Sequence, residues 1–245
     1  MIRLTKQDRI RYDRQMMWEG WGDEGQRRLK EARVCIAGMG GLGAPVALYL
    51  TAAGVGTLRL VDHDVVELSN LNRQVLYTGN DVGRAKAHCA EKRLRALNPA
   101  VRIEAIQERI TGGNGSELVG ASDVIVDGLD NFQARFLLNE TAVQKKIPFV
   151  HGAIWGMGGQ VTVIMPGKTP CLACFFPEPP PPERSPVLGT APGVIGCIQA
   201  TEVLKLLTGI GDPLAGRLLL YDGEFMEFSE VRVRRKKDCP VCVQL

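Results

Sequence analysis

Three groups of residues in this sequence have the types and spacing to do chemistry. The first is Gly38-Met39-Gly40-Gly41-Leu42-Gly43, set between a short apolar run, Arg33 to Ala37, and an apolar helical stretch that ends at Gly54. Between a strand and a helix, this spacing makes a tight turn, admits a phosphate to the backbone and lets helix pack on strand. The helix N-terminus adds N–H donors and a positive partial charge. Such turns also occur for packing alone. The second group is polar and discontinuous. Asp62 closes the apolar run Thr57 to Val61, where an acid hydrogen-bonds ribose hydroxyls. Asn70, Arg73 and Gln74 follow in a polar loop, Lys86 stands on the next helix, and Asp127-Gly128-Leu129-Asp130-Asn131 ends a further apolar run. The third group is two cysteine pairs, Cys171-x-x-Cys174 and Cys239-x-x-Cys242.

In a doubly wound sheet the first two groups meet at the carboxyl edge of the strands, where ligands bind. An oxidoreductase holding one pyrophosphate of NAD has little use for both Arg73 and Lys86. A triphosphate undergoing substitution needs both, because charge on the departing pyrophosphate must be stabilised. The residues therefore point to ATP. Asp130 is then the natural ligand of Mg²⁺, which prefers carboxylate, phosphate and water oxygens. The plainer alternatives are that Arg73 and Lys86 are solvated charges and that Asp130 caps the helix after it. Four thiolates at the spacing of the two cysteine pairs suit a closed tetrahedral Zn²⁺ site of structural role. The alternatives there are two redox disulfides or four unrelated thiols.

The elements that must position these groups are legible as periodicities. Asp8 to Ala32 reads as helix with a break near Gly20 to Gly22. Strands are expected at Arg33 to Ala37, Thr57 to Val61, Val101 to Ile106, Asp123 to Asp127 and Pro148 to His151, with helices from Gly43, over Arg84 to Leu97, and from Asn131 to about Lys145. This alternation predicts a Rossmann-like, doubly wound, mainly parallel sheet with helices on both faces. After Gly152 the pattern changes. Gly158 to Met165, Arg217 to Tyr221 and Glu224 to Arg234 read as antiparallel strands, with an apolar helix, Gly193 to Leu207, between them. The expectation is an α/β fold whose antiparallel C-terminal part carries the zinc site. It forms a single domain over 1–245: N-terminal helices in 1–32, a nucleotide-binding part in 33–152, and strands, crossover loop and zinc site in 153–245.

Composition narrows the function classes. A chain of 245 residues with 45% hydrophobic content can bury a substantial core, and a formal charge of +3 does not suggest a nucleic-acid or membrane-surface partner. The basic run Arg232 to Lys237 begins by alternating with valine, which reads as the solvent face of a half-buried strand. No run approaches the ~18 apolar residues of a membrane helix. Seven cysteines behind a charged N-terminus with no secretory pattern argue against a disulfide framework, so a cytoplasmic protein is expected.

Taken together, the motifs resemble those of the ThiF/MoeB/HesA family, bacterial relatives of ubiquitin-activating enzymes. The matching residues are Arg11-Tyr12-Asp13-Arg14-Gln15, Gly38 to Gly43, Asp62 with Ser69 to Gln74, Lys86, Asp127 to Asn131 and the paired cysteines. The pattern is nearest to sulfur-carrier and molybdopterin-synthase adenylyltransferases. The resemblance implies attack on the α-phosphate of ATP by the C-terminal carboxylate of a small ubiquitin-fold carrier protein ending in Gly-Gly, giving an acyl-adenylate. It implies that Gly38, Gly40, Gly41, Gly43 and Asp62 bind the nucleotide. Asn70, Arg73 and Lys86 contact its phosphates, and Asp130 binds Mg²⁺. Arg14 reaches the phosphates of the neighbouring subunit of a homodimer.

The chain also departs from that pattern. Several members carry a further cysteine ahead of the Gly193-Val194-Ile195-Gly196 helix, which takes the acyl group or joins in sulfur transfer; Glu183 to Pro192 holds none. Cys197, Cys35 and Cys89 read as small core residues. The expectation is an enzyme that stops at the acyl-adenylate, with no appended sulfurtransferase domain after Cys242. Residues 177–192 hold seven of the fourteen prolines, a stiffened surface loop or a rigid guide for the carrier tail. Two further readings are compatible with these residues. One is an inactive nucleotide-binding scaffold; the other is a relative acting on a carboxylate of a tRNA nucleoside, which the near-neutral charge disfavours.

Overall fold

The computed structural model describes residues 3–177 and 186–243. Three short helices open the chain, α1 (Lys6–Arg11), α2 (Asp13–Met16) and α3 (Gly22–Glu31). The expected helical segment is therefore broken twice, near Tyr12 as well as at Gly20 to Gly22. Five strands and their crossovers follow: β1 (Arg33–Ala37), α4 (Gly43–Ala53), β2 (Thr57–Val61), α5 (Lys86–Leu97), β3 (Arg102–Ile106), α6 (Gly115–Val119), β4 (Val124–Asp127), α7 (Phe132–Lys145) and β5 (Phe149–Trp155). The remainder is β6 (Gly158–Ile164), α8 (Leu172–Phe175), α9 (Thr190–Thr208), β7 (Arg217–Asp222) and β8 (Glu227–Arg232).

All eight strands join one sheet in the order β3-β2-β1-β4-β5-β6-β7-β8. The pairs from β3 to β5 are parallel and those from β5 to β8 antiparallel. Chain order reverses between β1 and β4, which opens the crevice of a doubly wound sheet above the ends of those strands. Alternation of side chains across the pleat divides the core in two. Val34, Ile36, Val126 and Val150 pack with α4, α5 and α9 on one face. Cys35, Ala37, Ile125 and Phe149 pack with α6, α7, α8 and the four paired cysteines on the other.

Three differences from the sequence expectation have physical reasons. Helix α5 begins at Lys86 rather than Arg84, because the Val66 and Arg84 backbones pair and hold the preceding residues extended. Strand β5 runs on to Trp155 because its far half pairs with β6 in a hairpin. The basic run contributes only Arg232 to a strand. That strand, β8, is the edge strand and is exposed on both faces among the described residues. Of the proline-rich stretch, 178–185 lie outside the described residues.

Candidate active site

Close approach explains the glycines of the turn between β1 and α4. Gly38 has φ +88°, and a Cβ there would stand 2.5 Å from the Gly128 carbonyl oxygen; one at Gly43 would stand 1.8 Å from the Gly38 oxygen. The Gly38 N–H donates to the Val61 carbonyl at 2.8 Å, and the Gly128 N–H to the Ala37 carbonyl at 2.7 Å. The turn is thus locked against the ends of β2 and β4. No side chain caps the N-terminus of α4; the Ala44 N–H donates to the Gly40 carbonyl at 3.1 Å and Pro45 has none, which leaves the amides of Gly41 to Gly43, unpaired among the described residues, to an anion. A second helix points the same way: Pro192, in the first turn of α9, comes within 3.1 Å of a Cβ placed at Gly41. Two helix N-termini therefore converge on one mouth.

Asp62 directly follows β2 beside this turn and is buried. Its two carboxylate oxygens accept the Met39 N–H at 2.7 Å and the Asp64 N–H at 2.8 Å, each keeping a second lone pair. Burial pushes its pKa up, while those two amides and Lys86 oppose the shift. The polar loop after it is pinned down by Tyr77, whose hydroxyl donates to the Met39 carbonyl at 2.8 Å. Asn70 is buried and its side-chain oxygen accepts the Glu67 N–H at 3.2 Å, which shapes the turn that presents Arg73. Arg73 uses one guanidinium nitrogen on the Ser69 carbonyl and the Asn72 side chain, both at 3.0 Å, and the rest of its fork is unpaired among the described residues. Lys86, the first residue of α5, is buried with its ammonium 3.0 Å from Asp64.

Asp130 is exposed beyond the end of β4, with one oxygen 3.3 Å from the Asn131 amide. Asn131, not Asp130, caps α7: its side chain accepts the Ala134 N–H at 2.9 Å. The capping alternative for Asp130 therefore falls away. Its outward carboxylate is of the kind Mg²⁺ takes.

Arg14 is not part of this cluster. The N-terminal helices dock at the far end of α4, where Tyr12 packs on Gly54, the Asn98 amide donates to the Tyr12 hydroxyl at 2.9 Å, and the Gln15 amide donates to the Ala53 carbonyl at 2.8 Å. Helix α4 has 11 residues, so roughly 16 Å of helix separate this end from the glycine turn. Arg14 itself is exposed.

The four cysteines Cys171, Cys174, Cys239 and Cys242 form one buried cluster, their sulfurs all within 4.8 Å of one another and none in a disulfide. The closest contacts are Cys171 to Cys239 at 3.6 Å and Cys174 to Cys242 at 3.7 Å, too long for S–S bonds and suited to ligands around one ion. Burial raises the Cys171 and Cys174 thiols, whereas the Cys242 and Val241 backbones and neighbouring thiols draw Cys239 down to about 7 against its own burial, so Cys239 is the readiest of them to offer the thiolate a metal needs. The set fits Zn²⁺. Of the other thiols, burial pushes Cys35 up to about 12 and raises Cys89 and Cys197. Cys197 is half-buried rather than a core residue.

Some residues near the mouth went unread in the sequence. Arg135 donates to the Leu129 carbonyl at 2.5 Å; His151 bonds Asp127 at 2.7 Å; Gln199 donates to the Asp127 carbonyl at 2.8 Å. The one sequence signal was a histidine closing an otherwise apolar strand level with an acid.

The ThiF family matches residues 12–241. The chain is similar to the sulfur carrier protein adenylyltransferase of Thermus thermophilus, 50% identical over 252 residues and covering 98% of this chain and 93% of that protein. It is also similar to the SAMP-activating enzyme E1 of Haloferax volcanii, 49% identical over 238 residues, with 95% and 88% covered. The crystal structure of E. coli MccB with MccA-N7isoASN shares the fold, with a TM-score of 0.87 at 23% identity over 96% of this chain and 74% of that one.

Proposed function

Since the chain belongs to the ThiF family, we propose that it is an ATP-dependent adenylyltransferase that activates the C-terminal carboxylate of a small ubiquitin-fold carrier protein ending in Gly-Gly. The observation that carries this reading is the gathering, at the β1/β4 crevice, of an uncapped helix N-terminus, Asp62, Lys86, Arg73 and the outward carboxylate of Asp130. The relatives named as activating a sulfur carrier protein or a SAMP support the choice of substrate.

The reaction asks for little acid–base chemistry. The attacking carboxylate is already ionised at neutral pH, and pyrophosphate leaves with its own charge, so no proton need be moved in the displacement. The protein must instead hold two anions together, align them and stabilise charge as it shifts onto the leaving group. In this reading Asp62 accepts from the ribose hydroxyls with its free lone pairs. The backbone of Gly38, Gly40, Gly41 and Gly43 lines the phosphates, with Asn70 shaping the loop beside them. Arg73 and Lys86 take the β- and γ-phosphate charge. Asp130 would hold Mg²⁺, whose contribution is to neutralise phosphate oxygens. Zn²⁺ at the four cysteines would tie residues 239–242 to the segment after β6.

The raised thiols of Cys35, Cys89 and Cys197 support an enzyme that ends its work at the acyl-adenylate, since a neutral thiol is a poor nucleophile. Arg14, at the wrong end of α4 for its own crevice, is assigned to the crevice of a second subunit. In an assay of carrier-dependent pyrophosphate release, Arg73→Ala or Lys86→Ala is expected to cost roughly 10²–10³ in turnover with the melting temperature little changed. Near-normal release by both variants would remove these residues from the site.

A further inference from the structure

Behind the loop that carries Asp130 lies a chain of buried polar groups that the reaction as described does not use. Asp127 and His151 are both fully buried, level with each other where β4 ends and β5 runs on into its hairpin. Asp127 spends one oxygen on the Leu129 N–H at 3.0 Å, and its other oxygen lies 2.7 Å from His151 Nδ1. A carboxylate only accepts, so Nδ1 carries the proton and Nε2 is left as acceptor. There the Gln160 amide nitrogen stands 3.2 Å away and donates. Arg135 closes the loop from the far side through the Leu129 carbonyl, but its Nε, 3.4 Å from Asp127, makes no hydrogen bond. Among the described residues His151 therefore supplies the only short hydrogen bond to that Asp127 oxygen.

Polar groups at such depth cost stability compared with a well-packed apolar set. Here they converge on the backbone of Leu129, the residue before Asp130. We propose that His151 is a positioning residue for Asp130: steadied by Gln160 on β6, it fixes the Asp127 carboxylate, and through it the 128–131 loop, so that Asp130 is preorganised to take a divalent cation. The chain also links the antiparallel half of the sheet to the crevice. This rests on the reading of Asp130 as the Mg²⁺ ligand.

The test titrates free Mg²⁺ in the carrier-dependent pyrophosphate-release assay, using the full chain and the variants Asp130→Ala, His151→Ala, His151→Asn and Gln160→Leu. Partners one step behind a metal ligand change metal affinity about 10–100-fold when removed. His151→Ala is expected to raise the half-saturating Mg²⁺ by about tenfold while keeping most of the turnover at saturation. His151→Asn, whose amide can donate where Nδ1–H does, should restore most of that affinity. Gln160→Leu should shift it the same way by a smaller factor. A fall in turnover at unchanged Mg²⁺ requirement, or no rescue by asparagine, would overturn the proposal. Should His151→Ala not fold, Gln160→Leu carries the test, and an unchanged Mg²⁺ requirement in it is the contrary result. If Asp130→Ala is impaired while His151→Ala matches the parent, the positioning role alone fails. If Asp130→Ala keeps the parent's Mg²⁺ requirement, the metal reading falls and the proposal with it.

Discussion

At the scale of single residues, the crevice is built from side chains already occupied on one side and open on the other. Asp62 is held by two backbone amides, Arg73 by its own loop and Lys86 by Asp64, so each is already oriented for the nucleotide role proposed for it. Preorganisation of this kind lowers the cost of binding and of charge stabilisation. His151 carries a pH consequence. Burial pushes its pKa below the ordinary 6.5, Asp127 on β4 opposes the shift, and Arg135 on α7 adds to it. With the folded pKa depressed, the unfolded chain binds the extra proton first as pH falls below about 6.5, so stability declines there and the decline is complete below the folded value. The melting temperature of the parent should therefore fall more than that of His151→Asn between about pH 7.5 and pH 5.5. Equal falls would show that His151 is not held neutral. The placement of Asp62, Arg73, Lys86 and Asp130 at the crevice was legible in the sequence because the ends of parallel strands and the loops after them lie on one edge of the sheet. His151 and Gln160 were not, because their partners are 24 and 9 residues away and only the sheet brings them together; nor was Arg135, which reaches from α7 back 6 residues to the Leu129 carbonyl.

Among the elements, α4 and α9 do most to define the mouth, and both pack on the same face of the sheet. The cysteine cluster belongs to the opposite face, against Leu138, Phe149 and Leu172. Zinc there would stabilise the segment after β6 and the C-terminal residues without touching the nucleotide. Chelation, or Cys239→Ser, is expected to lower the melting temperature by roughly 6–12 °C, which for a chain of this size corresponds to about 3 kcal/mol. Nucleotide binding by the first five strands should persist. Metal analysis finding no zinc in fresh protein, or an unchanged melt after chelation, would contradict this. Strands β1 to β4 could be read to within a residue because each is a continuous apolar run ending in a turn signal. Helices α6 and α8 were missed because each is about one turn long and carries no periodicity. The far half of β5 was missed because its glycine-rich hairpin partner hides the alternation.

For the whole molecule, the position of Arg14 makes a statement about assembly. It sits across roughly 16 Å of α4 from its own glycine turn, so any service to phosphates must be given to another subunit. Mixing Arg14→Ala with Lys86→Ala subunits should then regenerate one complete site in each mixed dimer, recovering up to about a quarter of parental activity from two nearly inactive proteins. No recovery after subunit exchange would place Arg14 outside the site. Among the described residues no helix is long and apolar enough to cross a membrane. The central claim, that this fold joins a carrier's carboxylate to ATP, is tested most directly by pyrophosphate release from Mg-ATP. Each small Gly-Gly-ending protein of the same organism would be added in turn, beside a version lacking its last glycine. The account predicts release with one intact carrier and none with its shortened form. Release that ignores the carrier's last residue, or ATP binding with no release under any carrier, would contradict it.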